Sequence, residues 1–356
     1  MMADVFQQSV EYPFSTLHFG NDADRQFQAI VAIHSTALGP ALGGCRLVRY
    51  TSTNAALTDV LRLAKGMTYK AAFHHLPFGG GKAVIIAPEK IRDRRDLMNA
   101  YGDFIDSLGG MFITAVDSGT GPDDMDIVAK RTKHVVCASK QFSGTGDPSP
   151  HTAKGVLRGI QAASKYLFKS DQMEGIHVLI QGVGHVGIQL VSLLKTLGAK
   201  VSVSDVNQQS IKTCQDRFEV SVVEPEEVYS TPCDVFSPCA LGQIINASTA
   251  KQLKAKIVAG SANNQLLDGS YGELLRKLGI LYAPDYVINS GGLLQIAYRN
   301  DQQLMAREID RLYERLITIF EQSSRQGVST NVIANQMAED FLRESKLKHP
   351  LPAVHA

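Results

Sequence analysis

The chain has 356 residues, of which 44% are hydrophobic and 20% charged, with a formal net charge of +1. Such a length admits two domains of ordinary size, and the balance is that of a soluble globular protein. The charge leaves no basic footprint for nucleic acid, and no run of about 18 apolar residues offers a membrane span. Five cysteines (Cys45, Cys137, Cys214, Cys233 and Cys239) form no C-x-x-C pair, as expected of reduced thiols in a cytoplasmic protein. The opening MMADVFQQSVEYPF lacks the cationic and apolar segments of a signal peptide.

In chain order, strand-like runs FQAIVAIHS (27–35) and CRLVRY (45–50) flank a glycine-rich turn, LGPALGG. A helix follows from Asn54, with Leu57, Val60, Leu61 and Ala64 at helical spacing. LPFGGGKAVI (76–85) then sets three glycines before a lysine. It is no P-loop, which would need glycine at Leu76, a hydroxyl at Ala83 and a following helix. The glycines instead predict a loop where something approaches the backbone beside Lys82. Strand AVIIA (83–87), a helix over 94–108, strand FITAV (112–116) and a helix over 122–131 complete the first half.

SGTGDPSP (143–150) breaks both periodicities and marks a boundary. The domains are therefore expected at 1–147, 148–330 and a C-terminal helical segment, 331–356, packing back toward the first. After a helix over 152–168, the runs IHVLIQG, KVSVSD, VFSPCA, KIVAGS and ILYAPD alternate with helices, the pattern of βαβ units in a parallel sheet. Long helices from 291 to 345, charged on one face, close the chain.

The stretch IHVLIQGVGHVGIQLVSLLKTLGAKVSVSD carries G-x-G-x-x-G in its full context: strand, turn, helix, second strand and acid. Gly182 allows the tight turn, Gly184 lets a pyrophosphate reach the backbone, and Gly187 lets helix and strand approach. Val183, His185 and Val186 complete that turn. Asp205, followed by Val206, would bind the adenine-ribose hydroxyls and repel a 2′-phosphate, which favours NAD over NADP. CALG (239–242) and AGSANNQ (259–265) end later strands, so Cys239, Ala240, Asn263 and Asn264 are candidates to line the ligand crevice. Asn is equally a common turn residue. Cys239 reads as a small apolar wall, because no base stands near it.

In the first half, Lys70 in MTYK, Lys82 in GGGK and Asp117 in TAVDSGT sit at element edges among small residues. LGPALGGCR, LRLAKGMTYK, FGGGKAVI, TAVDSGT, DPSPHTAKGV, CALG, AGSANNQL and YAPDYVINSGG occur in that order. Together they resemble the leucine/phenylalanine/valine dehydrogenase family, which is related to glutamate dehydrogenase, over nearly the whole chain.

The resemblance implies an α/β fold of two domains with a deep cleft, an N-terminal catalytic domain and a doubly wound Rossmann domain. It implies reversible NAD-dependent oxidative deamination of an L-amino acid to the 2-oxo acid and ammonium, in a homodimer or higher homo-oligomer, with no metal. Lys70 would bind the substrate carboxylate, Lys82 would activate water, and Asp117 would move the proton to and from the amine. Gly43 and Gly44 would lie against the substrate main chain, with Met67 beside them, and Thr152 would join the cofactor site. Leu42, Ala115, Leu293 and Ile296 would wall the side-chain pocket. Ala71 stands where the branched-chain enzymes carry Asn, so it would make room for a large ring. The implied substrate is tryptophan ahead of phenylalanine, with leucine or valine as the alternative. A non-catalytic NAD-binding scaffold would need the glycine turn but not Lys70, Lys82 and Asp117 together.

Overall fold

The computed structural model describes residues 13–139, 145–240 and 242–348. The signal-peptide reading of the opening segment, Leu241 of CALG, Ser143 and Gly144 at the boundary, and the last residues of the C-terminal segment fall outside them. The described residues divide into two compact units. One holds residues up to Asp147 together with those from Met337 on, and the other spans Pro148–Gln336. The second division falls inside a helix rather than at residue 331.

The first unit is built on β1 (Thr16–Asp22), β2 (Phe27–Ser35), β3 (Ala41–Val48), β4 (Gly79–Ile86) and β5 (Phe112–Val116). Their order across the sheet is β1-β2-β4-β3-β5. β1 and β2, and β2 and β4, run antiparallel, while β3 lies parallel to both β4 and β5. Residues 38–40 of LGPALGG form the turn its composition suggested, and residues 41–44 already lie in β3. GGGK opens β4 and is therefore strand, not the loop its composition suggested.

Strand alternation gives the sheet two buried faces. On one, Ala29, Val31, Ile33, Cys45, Leu47, Ala83 and Ile85 pack with Leu97, Met98, Tyr101 and Ile105 of α2 (Arg94–Ser107) and Met125 and Val128 of α3 (Pro122–Val128). On the other, Ile30, Ala32 and Val84 pack against Ala56, Leu57, Val60, Leu61 and Ala64 of α1 (Thr53–Phe73). α1 starts where Ser52 Oγ accepts from Ala55 N at 3.1 Å, a capping oxygen for an amide with no intrahelical partner. It ends with Lys70 in its last turn, a cation at the negative end of the helix dipole.

The second unit carries a wholly parallel sheet. Its strands are β6 (His177–Gln181), β7 (Lys200–Ser204), β8 (Ser221–Val222), β9 (Val235–Pro238), β10 (Ile257–Val258) and β11 (Leu281–Tyr282). Their order is β11-β10-β9-β6-β7-β8, the doubly wound arrangement that reverses direction at β6. α4 (Ser149–Phe168) packs on α5 (His185–Thr196), and Gly155 and Gly159 on α4 sit against Ile288, Leu312 and Leu316. The C-terminal stretch breaks into α10 (Gly291–Ala297), α11 (Gln302–Asp310), α12 (Leu312–Gln326) and α13 (Thr330–Lys348), following α6 (Gln208–Arg217), α7 (Ala247–Gln252), α8 (Ser270–Lys277) and α9 (Asp285–Ile288).

Candidate active site

Lys82 is the fourth residue of β4, paired in register with Ala32. Alternation turns Ala83 and Ile85 into the α2 core, so Lys82 and Val84 face α1. Leu42 pairs with Gly80 and Cys45 with Ala83, which leaves Gly43 and Gly44 beside Gly81 and Lys82. Gly44 also pairs with Ala115, so Lys82, Gly44 and Ala115 form one row across three strands. Asp117 follows two residues beyond Ala115, on the same face.

Asp117 is fixed by the turn after β5. Its amide donates to Thr120 Oγ1 at 3.0 Å, and that hydroxyl donates to the Cys45 carbonyl at 2.8 Å. Gly119, at φ +82°, lies so close to the Leu47 carbonyl that no Cβ fits. The turn delivers Asp117 Oδ2 to Lys82 Nζ, while Ser118 N donates to Oδ1 at 2.5 Å. Both members of this ion pair are nearly sealed from water, the Lys82 side chain being 4% exposed and the Asp117 side chain 10%. Lys70 is also buried, in the last turn of α1.

Burial pushes the Lys82 ammonium well below the usual lysine range, and the nearby cations Arg46 and Lys70 push the same way. Asp59 and Cys45 act in the opposite sense, as does the Asp117 carboxylate in contact with it. Arg46 is the larger of the two cationic contributions. Its guanidinium joins two carboxylates: Nη1 donates to Asp59 Oδ2 at 2.8 Å, and Nε lies 3.7 Å from Asp117 Oδ1. Tyr50 donates to the same Asp59 oxygen at 2.7 Å.

The three glycines have a different reason from the one their sequence suggested. A Cβ on Gly79 would sit 2.1 Å from the Ser35 carbonyl oxygen, and one on Gly81 2.8 Å from the Phe112 ring. A Cβ on Gly80 would stand 2.1 Å from both the amide nitrogen and Oγ1 of Thr68 on α1. Protein, not ligand, fills the space where these side chains would go. Likewise, a Cβ on Gly43 would lie 1.9 Å from the Gly81 carbonyl oxygen, and one on Gly44 2.5 Å from that of Val116. Next to them, the β2–β4 register shifts between Ile33 and Ser35, and His34 Nδ1 lies 2.9 Å from Thr68 Oγ1. Leu42 is 1% exposed and Ala71 0%, so both are buried. Met67 is half-buried, and Ala115 is buried.

In the second unit the glycine turn divides its work as the spacing implies. Gly182, at φ +99°, closes on Ala240, where a Cβ would lie 2.8 Å from the alanine's own. A Cβ on Gly187 would lie 2.0 Å from the Gly182 carbonyl, so helix and strand touch there. Gly184 alone of the three meets nothing within 4 Å. It is also the N-cap of α5 and offers no side-chain acceptor, so the first amides of that helix remain available to an anion. These features suit a dinucleotide pyrophosphate. Asp205 accepts from Val183 N and Asn207 N, each at 2.8 Å, leaving further lone pairs for hydroxyl donors. His185 and Val206 are exposed, Val206 strongly so, and Val183 is buried, with Val186 partly so.

Thr152 donates to the Pro148 carbonyl at 3.1 Å, against Gly292 at the start of α10. Leu293 and Ile296 are buried on that helix. Burial raises the Cys239 thiol, which fits a wall rather than a nucleophile. Asn264 adopts φ +51°, the loop role open to an asparagine. Asn263 Oδ1 accepts from Asn289 Nδ2 at 2.7 Å, a partner its own stretch did not reveal. Among the described residues, no cluster of His, Cys, Asp and Glu could hold a metal, and no helix is long and apolar enough to cross a membrane.

A mixed sheet presenting a buried lysine–aspartate pair, and a separate doubly wound sheet with an open glycine turn, define an oxidoreductase of two parts. The chain belongs to the Glu/Leu/Phe/Val dehydrogenases: residues 13–134 match that family's dimerisation domain, and residues 204–343 match the Glutamate/Leucine/Phenylalanine/Valine dehydrogenase domain. It is 42% identical over 349 residues to leucine dehydrogenase of Bacillus cereus, covering 97% of this chain and 95% of that one. To L-tryptophan dehydrogenase of Nostoc punctiforme it is 43% identical over 347 residues, covering 96% and 97%. The crystal structure of the Nostoc punctiforme L-tryptophan dehydrogenase superposes with a TM-score of 0.76 at 42% identity, over 96% of this chain and 99% of that one. The protein is thus an amino-acid dehydrogenase.

Proposed function

We propose that the chain catalyses the reversible, NAD-dependent oxidative deamination of an L-amino acid with a large apolar side chain, tryptophan ahead of phenylalanine. The observation that carries the reaction is the sealed Lys82–Asp117 pair with Lys70 buried on the helix above it. Lys70 holds the substrate carboxylate. Asp117 takes a proton from the amine, and bound NAD supplies the acceptor for the Cα hydride. Lys82, as the free amine that burial favours, draws a proton from water as it adds to the resulting imine. Asp117 returns its proton to the amine of the carbinolamine so formed; the C–N bond then breaks as the carbinolamine hydroxyl gives its proton to the departing ammonia, and ammonium and the 2-oxo acid leave with the proton from water still on Lys82. Gly184 and the first amides of α5 hold the pyrophosphate, Val183 N steadies Asp205, and Asp205 holds the ribose and disfavours a 2′-phosphate.

Leu42 supports the apolar preference, because the side-chain carboxylate of glutamate would meet an apolar residue there and bury an uncompensated charge. Leu293 and Ile296 add apolar surface in the second unit. The similarity to leucine dehydrogenase favours leucine as the second reading. A family domain described as one of dimerisation supports a homo-oligomer.

The test is NADH formation with tryptophan, phenylalanine, leucine, valine and glutamate, repeated with Lys82→Ala and Lys70→Ala. Lys82→Ala lowers kcat by orders of magnitude, whereas Lys70→Ala mainly raises KM. Near-normal turnover in Lys82→Ala overturns the mechanism, and glutamate as best substrate overturns the role of Leu42.

A further inference from the structure

The reaction requires Lys82 to alternate between ammonium and amine, and each change leaves Asp117 with a different partner. While Lys82 is charged, the two form an ion pair. Once Lys82 is neutral, a carboxylate whose side chain is 10% exposed has lost its cation. An unpaired buried charge is strongly unfavourable, and the carboxylate would recover a proton instead.

The structure holds a second cation in reserve. Arg46 lies on β3, and Nη1 is anchored to Asp59 of α1, which Tyr50 also holds. Its Nε is buried and makes no hydrogen bond, yet it lies 3.7 Å from Asp117 Oδ1. A shift of under about 1 Å would bring that pair within hydrogen-bond range. Guanidinium groups keep their charge throughout the working pH range, so this donor stays available whatever the state of Lys82.

We propose that Arg46 is a positioning residue for the reaction: anchored by Asp59, it takes over the Asp117 carboxylate whenever Lys82 is uncharged. Asp117 thereby stays ionised until it takes the substrate's proton, and Lys82 is free to lose its own. The inference rests on the roles proposed above for Lys82 and Asp117. The charged and titratable groups facing Lys82 are Asp117 after β5, Arg46 and Cys45 on β3, and Asp59 and Lys70 on α1.

Two substitutions break the same Arg46–Asp59 ion pair while changing the charge around Lys82 in opposite directions. Arg46→Gln removes a cation, and Asp59→Asn removes an anion. The acid limb of the kcat/KM profile for oxidative deamination should move up by about one pH unit in Arg46→Gln and down in Asp59→Asn. Loss of a structural staple alone would move both profiles alike or neither. Carbamylation of Lys82 by cyanate in the protein without cofactor, read by peptide mass spectrometry, should shift in the same two directions without any turnover. Should Arg46→Gln not fold, Arg46→Lys keeps the charge without the Nε donor. Its limb should then stay in place while kcat falls at least tenfold. Limbs that move together or stay fixed, or Arg46→Lys with unaltered kcat, overturn the inference. Failure of the parent reading looks different: the unmodified protein would then form no NADH from any amino acid.

Discussion

Replacing Gly80 with alanine tests what the glycine run is for. The new Cβ would stand 2.1 Å from the Thr68 amide nitrogen and Oγ1, and 2.5 Å from Thr68 Cα. Non-bonded heavy atoms rest about 3.5 Å apart, so β4 and α1 would have to separate by about 1 Å or more. Two of those three atoms are main chain, which cannot rotate away. Overpacking of this kind costs about 1–3 kcal/mol, and the rigid neighbours favour the upper end. The entropic gain of glycine to alanine, about 0.4–1 kcal/mol, is too small to reverse the sign. For a unit of this size the result is a Tm fall of about 5–10 °C, measured by calorimetry without any ligand. Lys70 lies two residues along the displaced helix, and a misplacement of about 1 Å costs about a hundredfold in kcat/KM. Gly184→Ala is the control, because its Cβ meets nothing within 4 Å. It should leave Tm unchanged and raise KM for NAD. An unchanged Tm in Gly80→Ala, with only substrate affinity reduced, would show that the run makes room for a ligand after all.

Three further outcomes follow from the geometry. Ala71→Asn forces an amide into a site with no exposed surface, at a cost of about 1–3 kcal/mol, so Tm falls. An unaltered Tm with selective loss of tryptophan activity would place Ala71 in the pocket. Asp205→Ser removes the charge that opposes a 2′-phosphate, and the NADP/NAD ratio of kcat/KM should rise at least about tenfold. Lys82 carries a native pKa well below that of the unfolded chain, about 10.4. Between those two values the unfolded state binds more protons, so its contribution makes stability rise with pH. The slope is at most about 1.4 kcal/mol per pH unit. Subtracting the Tm–pH curve of Lys82→Met from that of the unmodified protein should isolate the rise, and a flat difference refutes the depressed lysine.

Much of this was legible because local rules and tertiary context agreed. FQAIVAIHS and FITAV become β2 and β5 with the bounds their residues suggest. The G-x-G-x-x-G turn reads correctly because each glycine answers a separate demand: a left-handed φ at Gly182, open space at Gly184, and contact at Gly187. GGGK misled because a glycine in a strand and a glycine beside a ligand look identical in sequence. Only the tertiary neighbours distinguish them: Ser35 of β2 at Gly79, Thr68 of α1 at Gly80 and Phe112 of β5 at Gly81. Arg46 was missed for a related reason, since one cation in an otherwise apolar strand resembles a solvated edge residue. Its partners, Asp59 and Asp117, lie 13 and 71 positions away and meet it only through the fold. The closing helices were read as long because their charged faces continue. The chain is interrupted where Asp301 caps a new start and where Gly327 ends α12 at φ +70°.

α1 carries Asp59 near one end and Lys70 near the other, on a single uninterrupted helix of 21 residues. At about 1.5 Å per residue, the anchor for Arg46 and the cation proposed to hold the substrate carboxylate are two marks on one rigid rod. A change of sequence that slides or tilts the rod disturbs acid–base chemistry and substrate docking at once. Diversification toward new side chains is therefore cheapest in elements that do not share this rod. A laboratory library aimed at altered substrate range should leave residues 53–73 untouched.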